Sequence, residues 1–568
     1  MTRSGLHSAG SSRTRAFAIL FVLSFLLLRG IGAAQGDPSG GSPEAAPAGG
    51  GRILLVLPFD NRTPSSAASA AADAASLDWL REAAPAVLNA RFASAGLTSL
   101  TREDRLYALD HLGLPETFQP SRATALRIAQ TLDANFICIG DYAVVNGTLT
   151  LKAHLVDVDK LRLGPETTES GPIAQLIPLL NSLAWQLTRQ VDPGFNVAEE
   201  TFRAAGSNIR LDAFEQYIRG ISETNVAERL RHLKRATDLS PEFTAAWLAT
   251  AKLQFSSQQY EQAAISFSKV KRGDPNELEA EFYEGLSLIF SGNYPRAAEA
   301  FAAIARVLPL PEVVNNEAVA ESRLAHDATP LFRQAVAADP NDADYHFNLA
   351  VSLRRHSDTA GALAEMAQSL KLHPNDSEAK ALQQTWQGGG YSGPNDPLER
   401  IKRSYDGAAF RQAALMLDQV EEARLATLPA PERAARLDKS AHEKLDRGLL
   451  LEAERSYQAA LAADSRNAEA HAGLAQVRER AGDKDAARKE AQASLDRQPN
   501  LDAYMVLARL DLAANNLPQA RDEAAQAVKL DGNNRAAREL RKAIDTRIES
   551  APAGEKKADE SKNGPARP

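Results

Sequence analysis

Three prolines, Pro241, Pro275 and Pro309, stand 34 residues apart, and the two intervals between them carry one pattern. Each interval holds an apolar helix, Trp247–Phe255 and then Phe282–Phe290, followed by a polar turn, Ser256-Ser257-Gln258-Gln259 and then Ser291-Gly292-Asn293. A second helix rich in small residues completes the unit, with Tyr260 and Tyr294, Ala263 and Ala297, and Phe267 and Phe301 in step. A fixed period of this length constrains the fold strongly, because each helix pair carries an apolar face that only the next pair can cover. The chain is therefore read as mainly α, a helical solenoid.

The pattern resembles the tetratricopeptide repeat, with a large residue early, small residues in mid-helix, an aromatic, then proline. The resemblance implies a scaffold that binds peptides or proteins. The spacing divides the solenoid into two arrays. The first is expected over residues 207–386: a degenerate pair opens at Asn208–Gly220, repeats end at Pro275, Pro309, Pro340 and Pro374, and a lone helix, Asp376–Trp386, caps the stack. Gln387–Pro397 is rich in glycine and proline and is read as a hinge between arrays. Gly388, Gly390 and Gly393 fall at dinucleotide-fingerprint spacing, but that site needs a strand before it and a helix after it, and here a helix precedes and Pro394 follows. The second array is expected over residues 398–549: an irregular pair at Leu398–Leu428, repeats ending at Ser465, Pro499 and Gly532, and a polar end helix, Asn534–Glu549.

Ahead of the repeats, residues 52–195 read as a small α/β domain. Ile53–Phe59 is a continuous apolar run, the pattern of a strand buried on both faces. A helix at Leu77–Ala95, a short strand at Leu97–Leu100 and a helix at Ser121–Leu132 follow. Asn146-Gly147 then joins two strands, Asn135–Tyr142 and Thr148–Asp157, as a hairpin, and Ile173–Val191 closes the unit as a helix. Leu55–Asn61, Leu126–Ala129 leading into Asn135–Gly140, and Leu149–Asp157 resemble the N-terminal domain of TolB-like and curli-assembly-like lipoproteins. That resemblance implies assembly and protein contact, with no catalysis.

The first 34 residues read as an address. Arg3, Arg13 and Arg15 precede an apolar core of 13 residues, Ala16–Leu28, and Gly32-Ala33-Ala34 supplies the small residues of a cleavage site before Gln35. As a helix that core rises only about 20 Å, short of the roughly 30 Å hydrocarbon layer. A signal peptide over residues 1–34 is the reading, with an uncleaved membrane anchor as its alternative, so the chain is expected in the periplasm or cell envelope. Residues 35–51 form a linker of Gly, Ser, Pro and Ala, and residues 550–568 a polar tail; both are expected to be disordered. The single cysteine, Cys138, lies in an apolar strand and reads as a small buried hydrophobe.

No phosphate loop, nucleophile elbow or His-Glu-x-x-His pattern occurs in the sequence, and the net charge of −8 argues against nucleic acid as a partner. No cofactor, metal or catalytic residue is expected, and the chain is read as non-enzymatic. The candidate site is the inner face of the first array. Projecting the repeat pattern places Leu248, Lys252, Phe255, Phe282, Leu286, Ile289, Phe347, Val351 and Arg354 there as a protein-binding groove, apolar with a few cations. Packing between neighbouring helices is the competing role for each. The asparagine-and-lysine arrangement by which some relatives clamp a C-terminal carboxylate is not recognisable in the sequence. In the second array the equivalent positions, Asp438, His442, Glu469, Gln476, Asp502 and Arg509, are polar. The chain is read as an exported scaffold that holds partners with apolar anchors in the bacterial envelope. The alternative is a structural subunit of an envelope assembly or secretion complex, oligomerising through the N-terminal domain.

Overall fold

The computed structural model describes residues 52–64, 77–116, 121–205, 209–270, 274, 276–390 and 399–550. The expected signal peptide, the spacer after it, residues 391–397 of the expected hinge and the tail from 551 lie outside them. Two compact units form: residues 225–237 with 241–421, and residues 52–224 with 238–240 and 422–550.

In the α/β region, β1 (Ile53–Val56) and β2 (Asp60–Asn61) lead into α1 (Leu80–Ser94), β3 (Thr98–Ser99), α2 (Arg102–His111) and α3 (Arg122–Thr131). Then come β4 (Phe136–Val145), β5 (Thr148–Asp157), β6 (Arg162–Leu163), β7 (Thr167–Pro172) and α4 (Leu176–Val191). The sheet runs β3-β1-β4-β5-β6, with β2 also on β4 and β7 also on β5. Strand β1 is central and parallel to both neighbours, which is why its apolar run is unbroken. The β4–β5 hairpin turns at Asn146 and Gly147, both with positive φ, as the Asn-Gly pair requires. Leu55, Leu57, Ile137 and Val156 pack under α2 and α3, while α4 packs against α1, β5 and β7. At Gly140 a Cβ would stand 2.4 Å from the Phe59 ring and 2.5 Å from the Lys152 carbonyl, so only glycine fits. Helix α2 has little hydrophobic periodicity; its signal is a capping box between Thr101 and Asp104. Cys138 is fully buried, and burial pushes its thiol up to about 12, which keeps it protonated.

Helix α5 (Glu199–Ala204) and helix α6 (Leu211–Ser222) follow. Helix α6, read from sequence as the opening of the first array, packs instead in the α/β unit, where Phe214 meets Trp79 edge-on at 6.3 Å.

The other unit begins with α7 (Val226–Leu239) and continues through helix pairs α8 (Thr244–Ser256) and α9 (Tyr260–Phe267), and α10 (Glu277–Phe290) and α11 (Tyr294–Val307). Next come α12 (Pro311–Arg323) and α13 (Thr329–Ala338), then α14 (Ala343–Arg355) and α15 (Thr359–Leu372), capped by α16 (Ser377–Gln387). The turn inside each pair carries one residue in the left-handed region: Gln258, Gly292, Ala325 and Ser357. Only one of the four is glycine, so the repeat geometry and not local preference fixes that conformation. Residues 399–406 form neither helix nor strand, and α17 (Gly407–Ala426) begins in this unit. In place of the helix pair expected over Leu398–Leu428, the described residues form a non-helical segment, 399–406, followed by one helix.

The second array is built from α18 (Ala430–Asp446) and α19 (Leu450–Ala463), α20 (Ala468–Ala481) and α21 (Lys484–Leu495), and α22 (Leu501–Ala513) and α23 (Leu517–Leu530), with α24 (Arg535–Ser550) last. Asn467, Asn500 and Asn534 each accept a backbone N–H three residues on, at 3.0 Å, as repeated caps. This array packs on the α/β region within one unit. Glu454 of α19, fully buried, accepts from the Ala198 N–H at 2.8 Å, the Thr201 hydroxyl at 2.5 Å and the Arg478 guanidinium at 2.8 Å. Burial pushes its carboxyl above the ordinary range, with Arg478 acting against that.

Candidate protein-binding groove

The inner face of the first array is formed by α8, α10, α12 and α14, and residues 399–410 of the same chain lie in it. The grip on this segment starts from its backbone. Asn348 of α14 accepts from the Arg400 N–H at 2.6 Å and donates to the Arg400 carbonyl at 2.8 Å. Asn316 of α12 accepts from the Lys402 N–H at 2.9 Å and donates to the Lys402 carbonyl at 2.8 Å. Asn315 adds a donor to the Arg400 carbonyl at 3.0 Å and accepts from Asn348 at 2.8 Å. The Asn348 and Asn316 amides thus each satisfy both backbone groups of one residue, as a neighbouring strand would. All three asparagines are fully buried with the segment in place.

Charge fixes the side chains. The Arg400 guanidinium lies 3.7 Å above the centre of the Phe347 ring and pairs with Asp376 at 2.6 Å, Glu378 at 2.9 Å and Asp344 at 3.1 Å. The Lys402 ammonium meets Asp342 at 2.8 Å and Asp344 at 2.7 Å, over the Tyr345 ring. Burial raises the Asp344 carboxyl, but Lys402 and Arg400 outweigh it and hold the group below its ordinary value. Asp376 behaves alike: burial raises it, and Arg400 with the Ala379 N–H brings it below. Glu399 enters a pocket of opposite sign, fully buried, with Arg323 at 3.2 Å and with Arg355 and the Ser322 hydroxyl in contact.

Apolar contacts complete the seat. Ile401 packs against both apolar clusters of the array. Tyr405 and Phe410 lie against each other with their rings tilted by 37°, and their ring centres are 5.6 and 6.0 Å from that of Phe282.

The nine residues projected from sequence divide along this groove. Phe282 and Phe347 contact the segment and are fully buried. Leu286, Ile289 and Val351 lie in the apolar clusters against which Ile401 packs. Phe255 belongs to an aromatic group with Tyr260, Tyr283 and Phe290. Leu248 packs within the repeat core beside Ala251 and Phe267. Lys252 pairs with Glu279 at 2.7 Å, and Arg354 donates to the Gly390 carbonyl at 3.1 Å. An asparagine clamp is present after all, though it grips backbone in mid-chain. Asn315, Asn316 and Asn348 were not singled out from sequence; their signal was amides inside apolar helical stretches, Val313-Val314-Asn315-Asn316 and Phe347-Asn348-Leu349, 33 residues apart for Asn315 and Asn348.

The corresponding face of the second array is polar, as projected. Gln476, Asp502 and Arg509 line a cleft of about 480 Å³, where Arg509 pairs with Glu479 at 2.6 Å. Burial, with Glu469 and Asp502 as like charges, raises the Asp438 carboxyl to about 6 against the pull of His442.

The family model described as tetratricopeptide repeat matches residues 316–377 and 439–502, one stretch in each array. These stretches are tetratricopeptide repeats. The fold of the arrays is accordingly that of a protein-interaction scaffold. No curated protein matches the sequence. Among solved structures, "YrrB: a TPR protein with an unusual peptide-binding site" is 14% identical, covering 36% of this chain and 99% of its own, at a TM-score of 0.27. MamA from Desulfovibrio magneticus RS-1, residues 41 to the end, is 19% identical, covering 30% of this chain and 99% of its own, also at 0.27. The C-terminal domain of LpoB from Escherichia coli is 21% identical, covering 23% of this chain and 88% of its own, at 0.17.

Proposed function

We propose that this chain is a non-enzymatic scaffold exported to the bacterial envelope, and that the tetratricopeptide groove of its first array holds partner proteins by an extended segment. The observation that carries the reading is the pairing of Asn316 and Asn348 with the backbone N–H and carbonyl of Lys402 and Arg400. Amides so placed recognise an extended backbone whatever its side chains, which is what a segment-binding groove needs. Side-chain subsites around them supply selectivity. Export is supported by the pattern of residues 1–34.

Binding is tested by selecting displayed random peptides on the wild-type chain and measuring the enriched ones against Asn316→Ala/Asn348→Ala. The reading expects enrichment that the double variant loses. Enriched peptides that bind both proteins equally, or no enrichment at all, would overturn it. Fractionating cells that express the full chain, with N-terminal sequencing of the product, tests export: Gln35 as first residue of a periplasmic protein is the expected outcome, and an intact cytosolic chain the contrary one.

A further inference from the structure

We infer that residues 399–410 are an internal stand-in for the partner, and that the partner is an extended basic segment. In it an acidic residue is followed by two cations in alternation around an aliphatic residue, with an aromatic beyond. The inference rests on the groove reading above and specifies its occupant.

Four carboxylates, Asp342, Asp344, Asp376 and Glu378, converge on the two positions filled by Arg400 and Lys402. Without a basic occupant they would be like charges facing one another across a partly buried surface, which disfavours ionisation and packing alike. Arg323 and Arg355 at the other end require an anion, here Glu399. The Phe347 ring lies flat under a guanidinium, and the row formed by Phe282 and Tyr283 takes an aromatic, here Tyr405. The order acid, cation, aliphatic, cation is therefore written into the groove itself, and Glu399-Arg400-Ile401-Lys402 matches it. Arg400 and Lys402 both reach Asp344, while Ile401 between them packs against the apolar clusters of the array.

A tethered occupant competes at high effective concentration, so a partner's apparent affinity is reduced by the fraction of time the groove is filled. Weakening the tethered segment alone should uncover the site.

The test uses a labelled synthetic peptide with the sequence of residues 399–405, a copy with glutamate in place of its three cations, and the full chain as wild type and as Arg400→Ala/Lys402→Ala. Fluorescence anisotropy should show the basic peptide binding the double variant at least about tenfold tighter than wild type, following the competent fraction. The glutamate copy should not bind either protein. Equal binding of the two peptides leaves a groove that accepts extended segments but overturns the basic partner. No binding of either peptide to a double variant that melts like wild type makes the segment a permanent part of the array and overturns the inference. Should the double variant unfold, amide exchange at Arg400 and Lys402 in wild type decides. Faster exchange on adding the basic peptide supports displacement, and unchanged exchange refutes it.

Discussion

Asn348 holds Arg400 by both atoms of its amide, accepting from the residue's N–H at 2.6 Å and donating to its carbonyl at 2.8 Å. The side chain so engaged is fully buried, between Phe347 and Leu349 of α14. Replacing it with alanine removes a donor and an acceptor at once and leaves the Arg400 N–H without its acceptor, while Asn315 still donates to the Arg400 carbonyl at 3.0 Å. A buried polar group without a partner costs about 1–3 kcal/mol. Asn348→Ala should therefore lower the unfolding free energy by about that amount, with faster amide exchange at Arg400 and Lys402 than elsewhere in the array. Unchanged exchange at those two positions would mean that the segment is seated without Asn348, by its other contacts.

Acid should release the same segment. The Asp344 and Asp376 carboxyls both have folded values below their ordinary ones. Their contribution is full above the ordinary aspartate value of about 4 and is lost as pH falls through the lowered values. Tyr405 fluorescence and exchange at residues 399–402, followed from pH 6 to below 3, should report release below about 4, before the helices of the array unfold. Release beginning near neutrality would point to another group.

Glu454 joins the second array to the α/β region through Ala198 and Thr201, and it pairs with Arg478 of α20 within the array. Glu454→Ala leaves the Arg478 guanidinium, only 12% exposed, without its partner. Breaking a buried pair from one side costs about 3–5 kcal/mol. Calorimetry should show the joint transition lowered or split in two, with Glu454→Gln intermediate. A single unshifted transition would show that apolar packing alone joins them.

Asp438 gives a pH dependence of opposite sign. Its raised value of about 6 means that ionisation is disfavoured in the folded chain, so its contribution is favourable at low pH and is lost as pH climbs through 6. Asp438→Asn should raise the melting temperature at pH 7.5 by a few degrees, about 2–4 °C for each kcal/mol recovered. At pH 4 the two proteins should melt alike. A stabilisation equal at both values would trace to packing instead.

Much of the architecture was legible because it is local. The turns at Gln258 and Gly292 and the aromatic Phe267 and Phe301 recur at repeat spacing, since each unit meets its neighbour in the same way. The hairpin at Asn146-Gly147 and the unbroken apolar run of β1 were equally plain. Helix α2 was not, because its capping box sits before a stretch with weak periodicity. Phe282 and Phe347 were placed on the inner face by repeat pattern alone, and both meet residues 399–410 there.

The sequence by itself determined the regular helix pairs, such as those around Pro275 and Pro309, and their turns at Gln258 and Gly292, because residues three, four and 34 apart carry that information along the chain. Only the tertiary structure decided what covers the first inner face. The seat joins Asn315 and Asn348 to Arg400, 85 and 52 residues away. No periodicity relates those positions, and an extended segment has no hydrophobic pattern of its own. Read along the chain, Asn315, Asn316 and Asn348 are merely poor helix formers. They become a clamp once a backbone lies within hydrogen-bond reach of their amides, and folding alone brings it there.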